Sequence, residues 1–471
     1  QFTSSQIAVL STTQLGCLTT TSIGAFSVAQ VRGFTTTQIV ALSTEQVAGL
    51  ATQQVKALTT AQIASMESTD IAVLTTSQIK ALSSEQVAAL DAAQMRGLTA
   101  TNIAAISVAQ LKGMNTTQIV SLTTTQTTGL TSSQIKSLTV TQVLGLNATQ
   151  LFSLNATQVG GLTPQQLAVL DANQVTGFGS VLVGGLSTAQ VKGLTTAQVA
   201  AMTTTQVSSL TSTQIKGFST GQILALTTAQ IMVLSSTQES GLTAAQVGGL
   251  TTDQVRAMTT TQIANLSTAQ VKGLTSMQVA TMSTAQIASL ETSDLSTLSA
   301  KQIAGLTEEQ VTALTVIQMA GVTPTQLRAL TITQVSGLRS AGIAVLNTSQ
   351  VKALSGSQIA VLTLEQLKGL SSTLVGVMSA GQFSGVTMEQ VAALTTTQMS
   401  GLTAGQVKDL TMTQVGALSS AQLAALTTTQ FGGFEARDLA VLTEGQLNGL
   451  TASLIGSLSK AQFQALTATQ L

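Results

Sequence analysis

The chain has no histidine, tryptophan or tyrosine in 471 residues, and only one cysteine and two prolines. Each absence excludes something. Without histidine, the commonest general base and metal ligand is missing. A single cysteine, Cys17, rules out an intrachain disulfide framework. It occupies a slot of small residues and reads as a small buried side chain rather than a reactive thiol. Charged residues are 8% and the net charge is zero. No basic patch is interleaved with aromatics, so nucleic acid is not an expected partner. Carboxylates are scattered singly, with no pair spaced for acid–base work, and the many serines and threonines have no activating base beside them. No apolar run is long enough to span a membrane. The expectation is a protein that is not an enzyme, with no catalytic, cofactor-binding or metal-binding residues and no cofactor.

What is present is a period. Ser187-Thr188-Ala189-Gln190-Val191-Lys192-Gly193-Leu194 is followed directly by TTAQVAAM, TTTQVSSL and TSTQIKGF. This octad frame runs through all 471 residues without an insertion or deletion. Glutamine fills 50 of the 59 fourth slots, from Gln6 to Gln470. A fixed internal period means a repeat architecture, and the absence of any linker or shift in composition predicts one continuous array over 1–471.

Each octad encodes one short helix. The first slot is Ser, Thr, Asn or Asp in 53 of 59 octads, with Gln three residues later. That is the pattern of a capping box, in which cap hydroxyl and glutamine satisfy each other's backbone amides. Both prolines, Pro164 and Pro324, follow a cap-slot threonine, at the first helical position where a missing N–H costs least. Of 18 acidic residues, 16 lie between the cap and Gln slots; of 18 basic residues, 14 lie two places after the Gln. Acids in the first turn and bases in the last complement the helix dipole. The apolar pair Val191 and Leu194 is spaced by three, which is helical rather than alternating. A β-solenoid is the alternative, since Thr, Val and Ile favour strands, but it explains neither the prolines nor the polarised charge.

A second period overlies the first. At position 17 and every sixteenth thereafter the residue before the closing Leu is Gly 19 times, whereas the interleaved sites hold Gly only at Gly185, Gly217 and Gly249. This predicts a coil of sixteen residues with two helices, in which glycine allows either a left-handed helix end or a close backbone approach. About 29 such coils stacked at ~9 Å would make a rod. Helices this short cannot stand alone and are held by their neighbours in the stack. On capping alone, Gln190→Leu should cost about 1 kcal/mol or less.

Departures from the frame are few. Gly179 replaces a cap and Leu182 a Gln within TGFGSVLVGG, whose Gly-x-Gly lacks the context of a dinucleotide site; a kink or lateral contact is expected there. Arg339 with Gly342, Leu374 and Leu454 are further lapses, Asp70 and Asn102 imitate the capping Gln, and Thr127 and Glu239 interrupt the Val/Ile/Leu slot, with a locally frayed coil expected at Glu239. Asn115, Asn147, Asn155 and Asn347 each begin an Asn-x-Ser/Thr triplet but sit in cap slots and read as caps; Asn265 begins one outside that slot.

Octads such as TTAQVAAM and STEQVAGL resemble the Thr/Gln-rich octapeptide-repeat arrays of very large bacterial surface or secreted proteins. The resemblance implies an extracellular or cell-surface setting and a structural or adhesive role, and carries no site residues. The expected function is a rigid extracellular rod or filament formed by end-to-end and lateral self-association, with an anchor, if any, outside these residues. An adhesin stalk or repeat-scaffold binding surface is the alternative, and an ice-binding threonine array a third. The chain starts at Gln1 and stops mid-octad, as a processed product, an excerpt of a longer array or a subunit that joins its next copy would.

Overall fold

A computed structural model describes residues 2–468 and 470. The described residues are all-α: 58 helices of four to six residues, numbered in chain order from α1 (Ser4–Ala8) to α58 (Lys460–Gln464), with no strand. There is one helix per octad, as the capping pattern predicts, and the β-solenoid is excluded.

The type octad shows why. Ser187 is extended (φ −68°, ψ 158°) and caps α24 (Thr188–Gly193). Its Oγ accepts from the Gln190 amide at 3.3 Å, and its own amide donates to Gln190 Oε1 at 2.8 Å. The helix ends at Leu194, again extended (φ −66°, ψ 141°). Two successive extended residues therefore form the whole connection. Both prolines sit at the first helical position, of α21 (Pro164–Ala168) and α41 (Pro324–Ala329). Asn115, Asn147, Asn155 and Asn347 cap with their side chains, while Asn265 closes a helix C-terminus.

The chain forms two compact units, residues 1–241 and 242–471. Within each, the closely packed helices are three apart in chain order: α21 on α24 in the first unit, α41 on α44 (Thr348–Ala353) in the second. Glutamine bonds link helices four apart, as from Gln190 in α24 to α20 (Ala156–Val159). A superhelical turn thus contains three to four octads. This corrects the sixteen-residue coil of two helices, and the count of about 29 stacked coils falls with it. The physical reason is what each octad buries. Its fourth, fifth and eighth slots are all buried, as Gln190, Val191 and Leu194 are. Two helices about 8 Å long cannot enclose two apolar side chains each and also cover a glutamine; three or four around a turn can. Full burial of each such apolar side chain contributes about 1.5–3 kcal/mol.

The glycines of the penultimate slot serve one of the two purposes predicted for them. Among the described residues no glycine has positive φ, so the left-handed helix end does not occur. Close approach does. A Cβ on Gly193 would lie 2.6 Å from Pro164 Cβ and 2.9 Å from its Cα, at the start of the helix three places earlier. Gly161 meets Ser132 and Gly433 meets Ala404 in the same way.

The irregular octads keep their helices. α23 (Ser180–Gly184) forms without a side-chain cap, and α43 (Ser340–Ala344) forms behind Arg339. α30 (Ser236–Ser240) is intact with Glu239 only 1% exposed, so the coil there is not frayed. Thr127, fully buried in an apolar slot, satisfies its hydroxyl by donating to the Thr123 carbonyl at 2.9 Å. Cys17 is exposed. The expectation of a buried thiol fails because the penultimate slot is covered by the helix three places earlier, and Cys17, after α2 (Thr12–Gly16), has none among the described residues.

Candidate functional site

The feature that recurs through both units is a ladder of buried glutamines. Gln190 is 4% exposed. Its Oε1 completes the cap, which leaves Nε2 free to donate twice, to the carbonyls of Val159 and Leu162, both at 2.8 Å. These acceptors are 31 and 28 residues earlier. The same pair of bonds joins Gln110 to Ile79 and Leu82, Gln326 to Leu295 and Leu298, and Gln382 to Val351 and Leu354. One side chain therefore caps its own helix and ties off the C-terminal carbonyls of another, groups that a helix cannot satisfy by itself. Sequence reasoning found the first role and missed the second.

The substitutions in this slot show which atoms matter. Asn102, one methylene shorter, keeps the bond to Leu74 O at 2.8 Å, but no bond to the Ile71 carbonyl, 31 residues back, and no capping box accompany it. Asp70 has no N–H at all. Its carboxylate accepts from the Glu67 amide at 3.1 Å and does only the capping half of the work. Burial raises the Asp70 carboxyl above its ordinary value; the neighbouring Glu67 charge adds to this and the Glu67 amide opposes it. Asp294 is raised in the same way, by burial and then by Glu291.

A pH dependence follows for Asp70. Below the ordinary aspartate pKa of about 3.9, folded and unfolded chains both carry the proton and burial imposes no charge penalty. Between that value and the raised native one the folded state binds more protons, so stability falls as pH rises. Asp70→Gln removes this penalty. The urea midpoint of the variant should exceed that of the parent by a margin that grows from pH 4 to pH 7; a constant margin would show that the Asp70 charge does not matter.

Leu374 supplies a complementary case. It is buried in the glutamine slot of α47 (Ser372–Gly376), and the cap there consists of the Ser371 hydroxyl alone. The carbonyls facing it by register are Ile343 and Leu346. Leu374→Gln should stabilise the chain by about 1 kcal/mol, two cross-turn bonds and a completed cap outweighing the apolar burial given up. A lower melting temperature would count against the ladder.

Chemistry beyond the ladder is sparse. Among the described residues no group of three or more His, Cys, Asp or Glu side chains could hold a metal ion, and no helix is long and apolar enough to cross a membrane. The surface hollows are shallow. One, lined by Glu308, Glu309, Thr312 and Arg339, brings an exposed cap-slot arginine near two carboxylates. Glu309 is held below its usual value by its own backbone amide and the Thr307 hydroxyl. Thr312 Oγ1 donates to the Gly337 carbonyl at 2.8 Å. The hydroxyl there serves packing.

The fold and its ladder define an all-α helical repeat solenoid. Residues 23–52, 63–100, 103–140, 183–212, 240–268, 252–284, 260–292 and 287–324 match the model of the ALTTAQ repeat, to which these stretches are similar. The chain is a repeat array. No curated protein matches it. Among solved structures it pairs with a chain of a homology model of the full-length AP-3 complex in an intermediate open conformation. That pairing has 9% identity over 95% of this chain and 84% of the other, and its TM-score of 0.18 carries no inference.

Proposed function

We propose that the chain is a non-enzymatic structural element, a rigid rod of the extracellular space or bacterial cell surface that self-associates into filaments. The observation that supports this most is the glutamine ladder. Nearly every octad uses its buried glutamine to hold the array together, and the outward slots are mostly Ser, Thr and Ala, with scattered charges and single apolar side chains such as Phe152, Val181 and Ile317. A low-charge surface of this kind opposes side-by-side packing only weakly. A repeat without insertions supplies identical contacts at regular intervals, which is what lateral assembly requires. A contact that does not close on itself extends into a fibre. Within this reading the octad frame is one continuous array over 1–471.

Electron microscopy of the purified chain over a hundredfold range of concentration tests the proposal. Elongated particles that bundle or join as concentration rises are expected. Compact particles that stay monodisperse throughout would refute it.

A further inference from the structure

The charges of residues 1–241 are not scattered on the folded chain. This unit has eight basic residues, all in the sixth slot of their octads. Seven of them fall on one path of touching helices: α4 (Val28–Arg32), α7 (Thr52–Ala57), α10 (Thr76–Ala81), α14 (Val108–Gly113), α17 (Ser132–Ser137), α20, α24 and α27 (Ser212–Gly217). Successive members pack directly or are joined by a glutamine: Gln110 ties α14 to α10, and Gln190 ties α24 to α20. The row reads Arg32, Lys56, Lys80, Lys112, Lys136, a gap at Gly160, then Lys192 and Lys216. It places one cation on almost every superhelical turn. All seven side chains are exposed. None of their octads contains an acid, and among the described residues none of the seven lies within ion-pair distance of a carboxylate.

The steps along this path are three or four helices, each close to one superhelical turn, so successive cations lie on neighbouring turns of the same side, much as residues three and four apart share one face of an α-helix. A second path lies two helices further on, half to two-thirds of a turn around. It comprises α6 (Thr44–Ala48), α9 (Ser68–Ala72), α12 (Ala92–Gly97), α16 (Thr124–Gly129), α19 (Ala148–Phe152) and α22 (Ala172–Thr176), again in contact or glutamine-linked. Here lie the exposed carboxylates Glu45, Glu67, Asp91 and Asp171. Glu85 in α11 (Ser84–Ala88) and Arg96 in α12 stand outside the segregation, and Asp70 and Glu239 are buried.

We infer that the basic row is a lateral docking surface for the acidic row of a second copy of this chain. Resting on the proposed self-association, this names its contact. Two features favour a second copy over a polyanion. The unit is charge-balanced, with eight basic against seven acidic residues, so the positive row is matched by negative charge elsewhere on the same surface. A second copy also has the same rise per turn, so once one pair is in register the others follow; an unrelated polymer has no such match. Exposed charges this far apart attract weakly one by one, and the attraction is screened by salt. The association is therefore collective and salt-sensitive.

The test uses two full-length variants, which leave every buried slot unchanged. In one, Lys56, Lys80, Lys112 and Lys136 become Glu; in the other, Glu45, Glu67, Asp91 and Asp171 become Lys. Each is first checked for parental helicity, the second variant being expected to melt somewhat lower because Asp91 and Asp171 also cap α12 and α22, then followed by sedimentation at 20 mM and 500 mM salt at a temperature where it is fully folded. The parent should associate at low salt and at least tenfold less at high salt. Each variant alone, with two rows of one sign, should remain dispersed, and an equimolar mixture of the two should associate. Association of the parent and both variants without regard to salt would overturn the charged rows while leaving self-association standing. A parent that stays monomeric under every condition would overturn both. So would a parent monomeric at 20 mM salt that is retained by dextran sulfate, since the row would then serve a polyanion.

Discussion

Gln190→Leu is expected to cost about 3 kcal/mol, several times what loss of a helix cap explains. The cap accounts for about 1 kcal/mol. The rest comes from the far end of the side chain, where Nε2 serves the Val159 and Leu162 carbonyls. Leaving a buried acceptor unsatisfied costs about 1–3 kcal/mol, and the leucine's added apolar contact recovers only part of that. A graded series separates the roles. Gln190→Asn should cost less than Gln190→Leu, since Asn102 shows the shorter amide keeping one of the two bonds. Gln190→Glu keeps the capping oxygen and loses the donor, setting a buried carboxylate against two carbonyls, so it should cost the most at neutral pH. Urea unfolding would measure the order, and hydrogen exchange at the Leu162 and Leu194 turns would place the loss. If Glu and Gln prove equivalent at position 190, the cross-turn bonds contribute nothing.

Gly193→Val is the second large effect, also about 3 kcal/mol, at the upper end of overpacking costs. The added Cβ would meet Pro164 Cβ at 2.6 Å and its Cα at 2.9 Å. Neither atom is the end of a flexible chain. To make room, the start of α21 must move, and with it the cap and the glutamine bond that Gln166 makes to Leu138. Ala201→Val, in α25 (Thr196–Ala201), extends a Cβ that is already accommodated in a half-buried position and should cost less than about 1 kcal/mol. Equal melting temperatures for the two variants would mean that the turns can part at Gly193 without loss.

These two sites also divide what was legible in the sequence from what was not. Capping, charge polarity and the proline positions were readable because each depends on residues three or four apart, as Ser187 and Gln190 are. The second role of Gln190 depends on carbonyls 28 and 31 residues away, with nothing local to mark them. One signal was present: a capping box accepts Glu as readily as Gln, yet no fourth slot in the chain holds Glu. A slot that prefers the amide in 51 of 59 octads, 50 Gln and one Asn, is a slot that uses its donor. The sixteen-residue alternation was real but misassigned. It does not count the helices in a turn: Gly217 of the interleaved series meets Thr188 just as Gly193 meets Pro164, and the number per turn is set by the volume the fifth and eighth slots must fill. Nor was the exposure of Cys17 legible, because the helix that covers this slot elsewhere lies 29 residues earlier in the chain.

The register of the ladder bears on how such a chain can change its length. A glutamine recognises backbone carbonyls, not side chains, and every octad presents the same two. Excising or duplicating eight residues therefore hands each glutamine an equivalent acceptor from a different octad. Losing a single residue would leave all the glutamines of the next turn facing the wrong atoms. Unequal recombination between repeats can then lengthen or shorten the array in whole octads at little cost to folding, whereas frame-preserving slips of any other size are removed. That asymmetry accounts for a frame that drifts freely in its outward slots and yet has not slipped once between Gln6 and Gln470.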